Sequence, residues 1–379
     1  MSKSWSMLLL LLCLSGLLGG CPGQDVVPEG TQSSAAASEF SALDAQSFSP
    51  SPIVLPTVPA EGIFEALSPA AEKIWKQHID ALVGQPIQQP CQPFRVAAHG
   101  IRQGSAVLFH GFTACPQQYW EIAGLLADKG FDVFVPLLPG HGRNYATKAG
   151  KAGALKVMDD FSTLPGDAGY AKYKQLAAAM TGIIKDRPGS KLVAGLSLGG
   201  VVAASAMIQA PDIYDRALLM TPLFDVVEEK RPYLPSANAV LPSHLVEWGP
   251  NCELERKGGR GGYCMFQIRH IRAAQRLGEE ALANIGKVTA RVQVLGVEGD
   301  HAANNAALAK AAHKLRQGSA CLYQPGVRHS MLSRYDAPDD RKFWLESMQA
   351  QILRFAETGR YFDATKPAHE FGLQRCYIP

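Results

Sequence analysis

The sequence predicts an α/β protein with a mostly parallel, doubly wound sheet, helices on both faces and a cap insertion. Two observations support this fold class. Nearly continuous apolar runs alternate with helical segments along most of the 379-residue chain, as expected for parallel strands covered on both faces. With 47% apolar and 19% charged residues, the chain can also bury a large core. One long segment interrupts the alternation, and we assign it to the cap.

Residues 1–20 are predicted to be a signal peptide. A single lysine precedes the apolar run LLLLLCLSGLL, which is too short to cross a bilayer and remain there. The next residues, LGGC, end at Cys21 and resemble the lipobox of bacterial lipoproteins, in which the cysteine after the cleavage site is lipidated. An ordinary signal peptide followed by a chance cysteine is the alternative. The lipobox reading implies a lipid-anchored protein of the bacterial cell envelope, and Pro22 favours the outer membrane, on its periplasmic or surface face.

Residues 21–60 are predicted to be a flexible tether. The segment is rich in Ser, Ala, Pro, Gln and Gly, has few large apolar residues and shows no periodicity. The folded body is expected to comprise residues 61–225 and 289–379, with the cap between them.

Cysteine usage is consistent with export. Once Cys13 and Cys21 are set aside, an even number of cysteines remains, as is common in an oxidising compartment: Cys91, Cys115, Cys252, Cys264, Cys321 and Cys376. The pairing stays open, but we favour Cys252 with Cys264, because the segment between them is polar, glycine-rich and unable to order itself. Isolated buried thiols are the alternative.

The elements of the body follow one another in βα order. Strands are expected at SAVLFHG, FDVFVPLLPGHG, KLVAGLS, RALLMTPLF, ARVQVLGVEGD and SACLYQPG. Helices are expected at QQYWEIAGLLADKG, YAKYKQLAAAMTGIIKD, VVAASAMIQA, NNAALAKAAHKLRQG and RKFWLESMQAQILRFAE. Ligands of such sheets bind at the carboxyl ends of the strands.

The segment 226–288 is predicted to form a cap or lid without strands. It contains proline-rich pieces, the cysteine-flanked loop and one helical stretch, FQIRHIRAAQRLGEEALANI. An insertion of this size at the mouth of a sheet is typical of a cap over a pocket. A peripheral decoration that never meets substrate is the alternative.

The stretch GLSLGG places Ser197 between an apolar strand and a helix of small residues. An abrupt strand-to-helix turn needs unusual backbone angles and close packing, which glycine tolerates best. A serine on such a turn projects its hydroxyl into the site, as in a nucleophile elbow. We therefore predict that Ser197 is a catalytic nucleophile.

A serine nucleophile needs a histidine base, and His329 is the best candidate. It follows a predicted strand and a Pro-Gly turn, late in the chain. His313 lies inside a predicted helix, His369 in the tail, and His301 beside the predicted acid. A histidine on the surface without a role is the alternative for His329.

The histidine in turn needs a carboxylate that holds its tautomer. Asp300 ends the strand VQVLGVEG and precedes His329, which completes the chain order Ser, Asp, His. Asp225, just after the strand RALLMTPLF, is the second candidate for the acid.

Backbone amides are predicted to form the oxyanion hole. The amide of Phe112, in HGFT, follows the first strand of the body, and that of Leu198 follows the nucleophile. PGHG closes the next strand near the same edge, so His141 is either a substrate contact or part of a plain turn.

Five ordered motifs, namely HGFT, PGHG, GLSLGG, GVEGD and GVRHS, resemble the α/β-hydrolase family over residues 95–358. The similarity is strongest to the branch of bacterial carboxylesterases and monoacylglycerol lipases. The resemblance implies an α/β-hydrolase fold and a triad of Ser197, Asp300 and His329. The lipobox, the tether and the cysteines, including Cys115 in the HGFT loop, depart from the cytosolic members of the family.

The expected function is hydrolysis of carboxylic esters, either acylglycerols or short-to-medium acyl esters, by an exported, lipid-anchored serine hydrolase. An aminopeptidase or thioesterase on the same triad, or a surface-binding lipoprotein without turnover, are the alternatives. The expected partners are a small ester or lipid substrate and, through Cys21, a membrane.

Other classes of function lack support in the sequence. The net charge of +3 comes without a basic stripe interleaved with aromatic residues, so no nucleic-acid partner is expected. The chain has no CxxC pair or HxxxH spacing, so neither a metal nor a cofactor is predicted.

Overall fold

The computed structural model describes most of the chain after residue 56. The described residues are 57–64, 67–143, 146–150, 153–157, 169–248, 252, 258–323, 327–336, 344–362 and 373–377, and for 146–150, 153–157 and 373–377 only the backbone is described. The predicted signal peptide, the predicted lipidation site Cys21 and all but the last four residues of the predicted tether lie outside this part.

The elements follow the expected βα alternation. The helices are α1 (Pro69–Asp80), α2 (Trp120–Asp128), α3 (Tyr170–Ile184), α4 (Leu198–Gln209), α5 (Leu234–Val240), α6 (Ile268–Asn284), α7 (Asn305–Lys314) and α8 (Leu345–Thr358). The strands are β1 (Phe94–Val96), β2 (Gly104–Phe109), β3 (Phe131–Val135), β4 (Ala146–Gly150), β5 (Gly153–Val157), β6 (Ser190–Leu196), β7 (Arg216–Met220), β8 (Leu245–Glu247), β9 (Met265–Gln267), β10 (Arg291–Val297), β11 (Gly318–Tyr323) and β12 (Leu373–Tyr377).

The main sheet has eight strands in the order β1-β3-β2-β6-β7-β10-β11-β12. The six inner strands are mutually parallel, and the two edge strands, β1 and β12, pair antiparallel to their neighbours. All residues of β2 and β3 are buried, as expected for parallel strands covered on both faces. The predicted mostly parallel, doubly wound sheet is confirmed. The two antiparallel edge strands were not predicted.

Helix α4 is buried on nearly all sides. Its residues 198–207 are almost inaccessible to solvent, and they are mainly Gly, Ala, Val and Ser, so the helix can lie close to the sheet. A helix without a polar face belongs to the core. The helix begins at Leu198, the residue directly after Ser197.

A second, four-stranded sheet has the order β4-β5-β9-β8. Strands β8 and β9 belong to the insertion 226–288, so our expectation that this segment contains no strand is wrong. Each has only three residues, too few to show an alternating pattern, and each is stabilised by its antiparallel partner. Strands β4 and β5 form a hairpin from the segment assigned to the body. Within the described residues, no helix is both long and apolar enough to cross a bilayer.

Candidate active site

Ser197 occupies the sharp turn between β6 and α4. Its backbone lies at φ 56° and ψ −116°, a left-handed conformation that costs a non-glycine residue about 1–3 kcal/mol. The turn is stabilised by its surroundings, since the Ser197 N–H donates to Met220 O at 2.8 Å and the Ser197 carbonyl accepts from Leu223 N at 3.1 Å. The residue is 4% exposed.

The flanking glycines permit this turn because backbones touch on both sides of it. A Cβ on Gly195 would lie 2.0 Å from the carbonyl oxygen of Gly199. A Cβ on Gly199 would lie 1.8 Å from the carbonyl oxygen of Phe109, at the end of β2. The start of α4 therefore lies directly against the HGFT loop, which we define as residues 110–119.

His329 and Asp300 are joined by a hydrogen bond of 2.7 Å between Nδ1 and Oδ2. The other carboxylate oxygen of Asp300 accepts from the amides of Ala302 and Ala303, at 2.8 and 3.1 Å. Burial raises the pKa of Asp300, but the charge of His329 and the hydrogen bonds from His329 and these amides outweigh it, so the pKa lies below its usual value. The carboxylate is thus held ionised beside the imidazole.

Ser197, Asp300 and His329 all follow carboxyl ends of parallel strands, β6, β10 and β11. The last residue of β7 and the residue after it contact the backbones of Ser197 and His329. Met220 O accepts a hydrogen bond from the amide of Ser197, and Thr221 Oγ1 donates one to His329 O at 3.1 Å. The two loops are therefore fixed to neighbouring residues of one segment.

Asp225, the second candidate for the acid, is engaged elsewhere. Its carboxylate contacts Arg231 Nε at 2.7 Å, and it accepts from Gln275 Nε2 at 3.0 Å and from the Val226 amide at 2.9 Å. These contacts fix the start of the insertion 226–288 to helix α6.

The other candidate histidines take no part in this hydrogen bond, although His301 lies beside the pair. The His301 ring centroid is 6.0 Å from that of His329, and burial lowers the His301 pKa. His313 lies in helix α7, as predicted, and His369 falls outside the described residues.

The HGFT loop holds the amides on either side of Phe112. Gly111 N donates to Gln118 Oε1 at 2.8 Å, and Thr113 N donates to His141 Nε2 at 3.2 Å. Among the described residues, the amide of Phe112 itself has no hydrogen-bond acceptor, and neither has that of Leu198. These are the two amides that the sequence assigns to the oxyanion hole.

His141 is buried behind the HGFT loop. Its Nδ1 donates to Pro139 O at 2.9 Å, and its Nε2 accepts from Thr113. Burial lowers the pKa of His141 to about 4, so the ring is neutral and can accept this bond. Both ring nitrogens are used within the protein, and the predicted substrate contact stays a prediction.

Two disulfides connect the segments around this loop. Cys252 is bonded to Cys264, the pairing that the sequence favours, and Cys91 to Cys115. The second bond attaches the HGFT loop to the segment before β1. Sequence reasoning left this pair open, because no local pattern relates the two cysteines.

Sequence reasoning also missed the glutamines of this region. Gln117 and Gln118 are 4% and 5% exposed, and both use their side-chain amides to hold backbone groups. The signal in the sequence is a pair of polar residues after Cys-Pro in the HGFT loop, and it is weak. Among the described residues, no three His, Cys, Asp or Glu side chains lie where they could hold a metal ion.

Comparison with known proteins agrees with this architecture. No curated protein sequence matches the chain. The monoacylglycerol lipase of Paleococcus ferrophilus superposes with a TM-score of 0.53 at 14% identity, covering 71% of this chain and 100% of that one. A soluble variant of monoglyceride lipase from Saccharomyces cerevisiae, in complex with a substrate analogue, gives 0.53 at 14% identity over 72% and 92%. A metagenome-derived lipolytic enzyme, from work on LipS and LipT, gives 0.50 at 18% identity over 71% and 98%.

The family model described as "Alpha/beta hydrolase family" matches residues 106–343, which include Ser197, Asp300 and His329. This range is more than half of the chain and contains the carboxyl ends of the six inner strands. The chain belongs to the alpha/beta hydrolase family.

Proposed function

We propose that the protein hydrolyses carboxylic esters through an acyl-enzyme on Ser197. The observation that carries this proposal is the 2.7 Å bond between His329 Nδ1 and Asp300 Oδ2, at the same sheet edge as a serine in the left-handed conformation. Because Nδ1 donates to the carboxylate, Nε2 carries the lone pair that a general base needs.

The reaction follows from this arrangement. His329 Nε2 takes the proton of Ser197 Oγ as the oxygen attacks the ester carbonyl carbon. The carbonyl oxygen becomes an oxyanion, and the amides of Phe112 and Leu198 donate to it. As the tetrahedral intermediate collapses, the imidazolium gives its proton to the leaving alcohol. Water then attacks the acyl-enzyme by the same steps, and the acid and free Ser197 are released.

Helix α4 supports the oxyanion as well. Ser197 precedes the first turn of this 12-residue helix, so the positive end of the helix dipole faces the developing charge. The amide of Leu198 belongs to that turn, where no intrahelical acceptor is available.

The apolar surroundings of Phe112 favour an apolar acyl group. The ring of Phe112 lies 5.0 Å from that of Phe266, which lies 5.0 Å from that of Trp248. Phe112 and Phe266 are themselves buried, so the protein beside the proposed oxyanion hole is aromatic and apolar. The fold shared with monoacylglycerol lipases agrees with acylglycerols or short-to-medium acyl esters as substrates.

The competing activities are an aminopeptidase, a thioesterase and a binding protein without turnover. An aminopeptidase needs a carboxylate for the substrate's ammonium group. Asp300 and Asp225 are already bonded to His329 and Arg231, so neither is available for this purpose. This counts against an aminopeptidase that would use either aspartate, and the substrate panel below separates the ester and thioester activities.

We also propose that the protein is an exported lipoprotein attached at Cys21, with the segment 21–60 as tether and 226–288 as cap. The disulfides Cys91–Cys115 and Cys252–Cys264 support export to an oxidising compartment. Replacement of Cys21 by serine should move the protein from the membrane fraction to the soluble fraction, whereas Cys13→Ser should not. Continued membrane attachment of Cys21→Ser would contradict the lipobox assignment.

A fluorophosphonate probe tests the proposed chemistry, because it reacts with activated serines. We expect labelling of the wild type and of Ser205→Ala, a matched control in the same helix, and no labelling of Ser197→Ala. An unlabelled wild type, or a labelled Ser197→Ala, would contradict the proposal. Esters of increasing acyl length, monoacylglycerols, thioesters and aminoacyl anilides then separate the candidate activities.

A further inference from the structure

A segment of the insertion 226–288 lies directly on the HGFT loop. We call it the glycine segment, residues 258–264. Tyr263 N donates to Thr113 O at 2.8 Å. Gly261 N donates to Gln117 Oε1 at 2.7 Å, and Gln117 Nε2 donates to Gly259 O at 2.9 Å. The side-chain amide of Gln117 therefore pairs with the backbone of the glycine segment as a neighbouring strand would.

Gln88 makes a similar pair with the next residue. Gly262 N donates to Gln88 Oε1 at 3.1 Å, and Gln88 Nε2 donates to Gly262 O at 3.3 Å. The glycine segment has too few apolar residues to order itself. Two glutamine side chains provide the hydrogen bonds that a sheet would otherwise supply.

The glycines are required by the closeness of this contact. A Cβ on Gly261 would lie 2.7 Å from the sulfur atoms of both Cys91 and Cys115. Gly262 has a φ of +106°, and its Cβ would lie 2.1 Å from Thr113 O. The backbone thus passes in contact with the disulfide on one side and the HGFT loop on the other.

Thr113 receives two of these contacts, from Tyr263 and Gly262, and it follows the proposed oxyanion donor Phe112. It has a φ of 59°, a conformation that its surroundings must stabilise. The Thr113 amide donates a hydrogen bond to His141 Nε2. The Thr113 carbonyl accepts one from the amide of Tyr263, and its hydroxyl accepts one from Trp248 Nε1 at 2.8 Å. Two of these three partners belong to the insertion.

Gln117 also reaches the loop of the proposed base. Its side chain is hydrogen-bonded to the hydroxyl of Tyr335, six residues after His329 in the chain. Gly259 lies against the Tyr335 ring, since a Cβ there would be 3.4 Å from it. One buried amide therefore connects the HGFT loop, the glycine segment and the loop that carries His329.

We propose that Gln117 is a positioning residue that fixes the glycine segment on the HGFT loop, so that the insertion 226–288 holds the Phe112 amide of the proposed oxyanion hole in position. This inference rests on the proposed function. Since the glycine segment holds Thr113, its displacement turns the peptides around Phe112 away from the reacting carbonyl. The loss then falls on the transition state rather than on substrate binding.

The test compares Gln117→Ala with Gln293→Ala. Gln293 is a matched control, because its buried amide also holds backbone groups, Phe362 N at 2.9 Å and Ser319 O at 3.3 Å, within the main sheet. For a soluble ester, we expect Gln117→Ala to lower kcat by about 10- to 100-fold, with KM changed by less than about threefold. A trifluoromethyl ketone, which forms a tetrahedral adduct, should bind more weakly by a similar factor. Gln293→Ala should lower the melting temperature but keep kcat within about twofold.

Four outcomes overturn parts of this account. A kcat of Gln117→Ala within about twofold of the wild type, or a loss that Gln293→Ala shares, removes the positioning role. If Gln117→Ala does not fold, Gln117→Glu replaces it in the test. The glutamate keeps the acceptor for Gly261 N but loses the donor for Gly259 O, so we expect kcat to fall by about 3- to 10-fold. An unchanged kcat of Gln117→Glu also removes the positioning role. A wild type that hydrolyses no ester overturns the proposed function itself.

Discussion

At the scale of single residues, the site depends on two side chains whose protonation is set by their neighbours. Asp300 is kept ionised by His329 and two backbone amides despite its burial. His141 is kept neutral by burial, so it can accept a hydrogen bond from Thr113. The charged Asp300 is needed for the proposed proton transfer. The uncharged His141 is needed for the shape of the HGFT loop.

The role of Asp300 can be tested by Asp300→Asn. The asparagine amide presents a donor to His329 Nδ1 and so favours the tautomer with the proton on Nε2, which cannot accept the proton of Ser197. We expect kcat to fall by about 10³- to 10⁴-fold, measured by ester hydrolysis.

Asp225→Asn is the control for this substitution. Asp225 also follows a strand of the main sheet, but its carboxylate contacts Arg231. Its variant should lose stability rather than turnover. The assignment fails if Asp225→Asn is the variant with the larger loss of kcat.

At the scale of elements, the site depends on the close approach of β2, β6 and α4. The carbonyl of Phe109 ends β2, and Gly199 lies in the first turn of α4. No side chain fits between them, because a Cβ would lie 1.8 Å from that carbonyl. The small residues GLSLGG are therefore a packing requirement as well as a catalytic one.

Gly199→Ala should displace the start of α4 and destabilise the protein by about 3 kcal/mol or more. Gly124→Ala, in helix α2, is its control, since the nearest atom to the added Cβ is Pro59 Cγ at 3.9 Å. There we expect stabilisation by about 0.5–1 kcal/mol. Chemical denaturation measures both. Equal free energies of unfolding for the two variants would contradict the packing requirement at Gly199.

At the scale of the whole molecule, stability depends on histidines buried in their neutral form. Burial lowers the pKa of His78 and of His141 from 6.5 to about 4, and that of His110 well below 6.5. Their ring nitrogens accept hydrogen bonds from the amides of Leu137, Thr113 and Leu138. Protonation of these rings is therefore incompatible with the folded loops.

The free energy of unfolding should consequently fall as the pH falls from about 6.5 to about 4. In this window the unfolded chain binds protons that the folded protein excludes. The difference for His141 alone corresponds to about 3 kcal/mol, and His78 and His110 act in the same direction. Denaturation at several pH values measures this, and His78→Gln should reduce the dependence. A constant free energy between pH 7 and about 4.5 would contradict it.

Most of the main sheet could be read from the sequence. Buried parallel strands are continuous apolar runs, and their alternation with helices leaves a single class of fold. Because the carboxyl ends of parallel strands share one edge, the residues that follow the strands of Ser197, Asp300 and His329 could be placed at one site before any coordinates.

The contacts that hold the HGFT loop could not be read in this way. Strands β8 and β9 are too short for a pattern, and the partner of Cys115 lies 24 residues away without a local signal. The bonds of Gln117 to the glycine segment join positions more than 140 residues apart. Local periodicity reflects burial within one element, whereas these bonds arise from the approach of distant segments, and that approach exists only once the chain has folded.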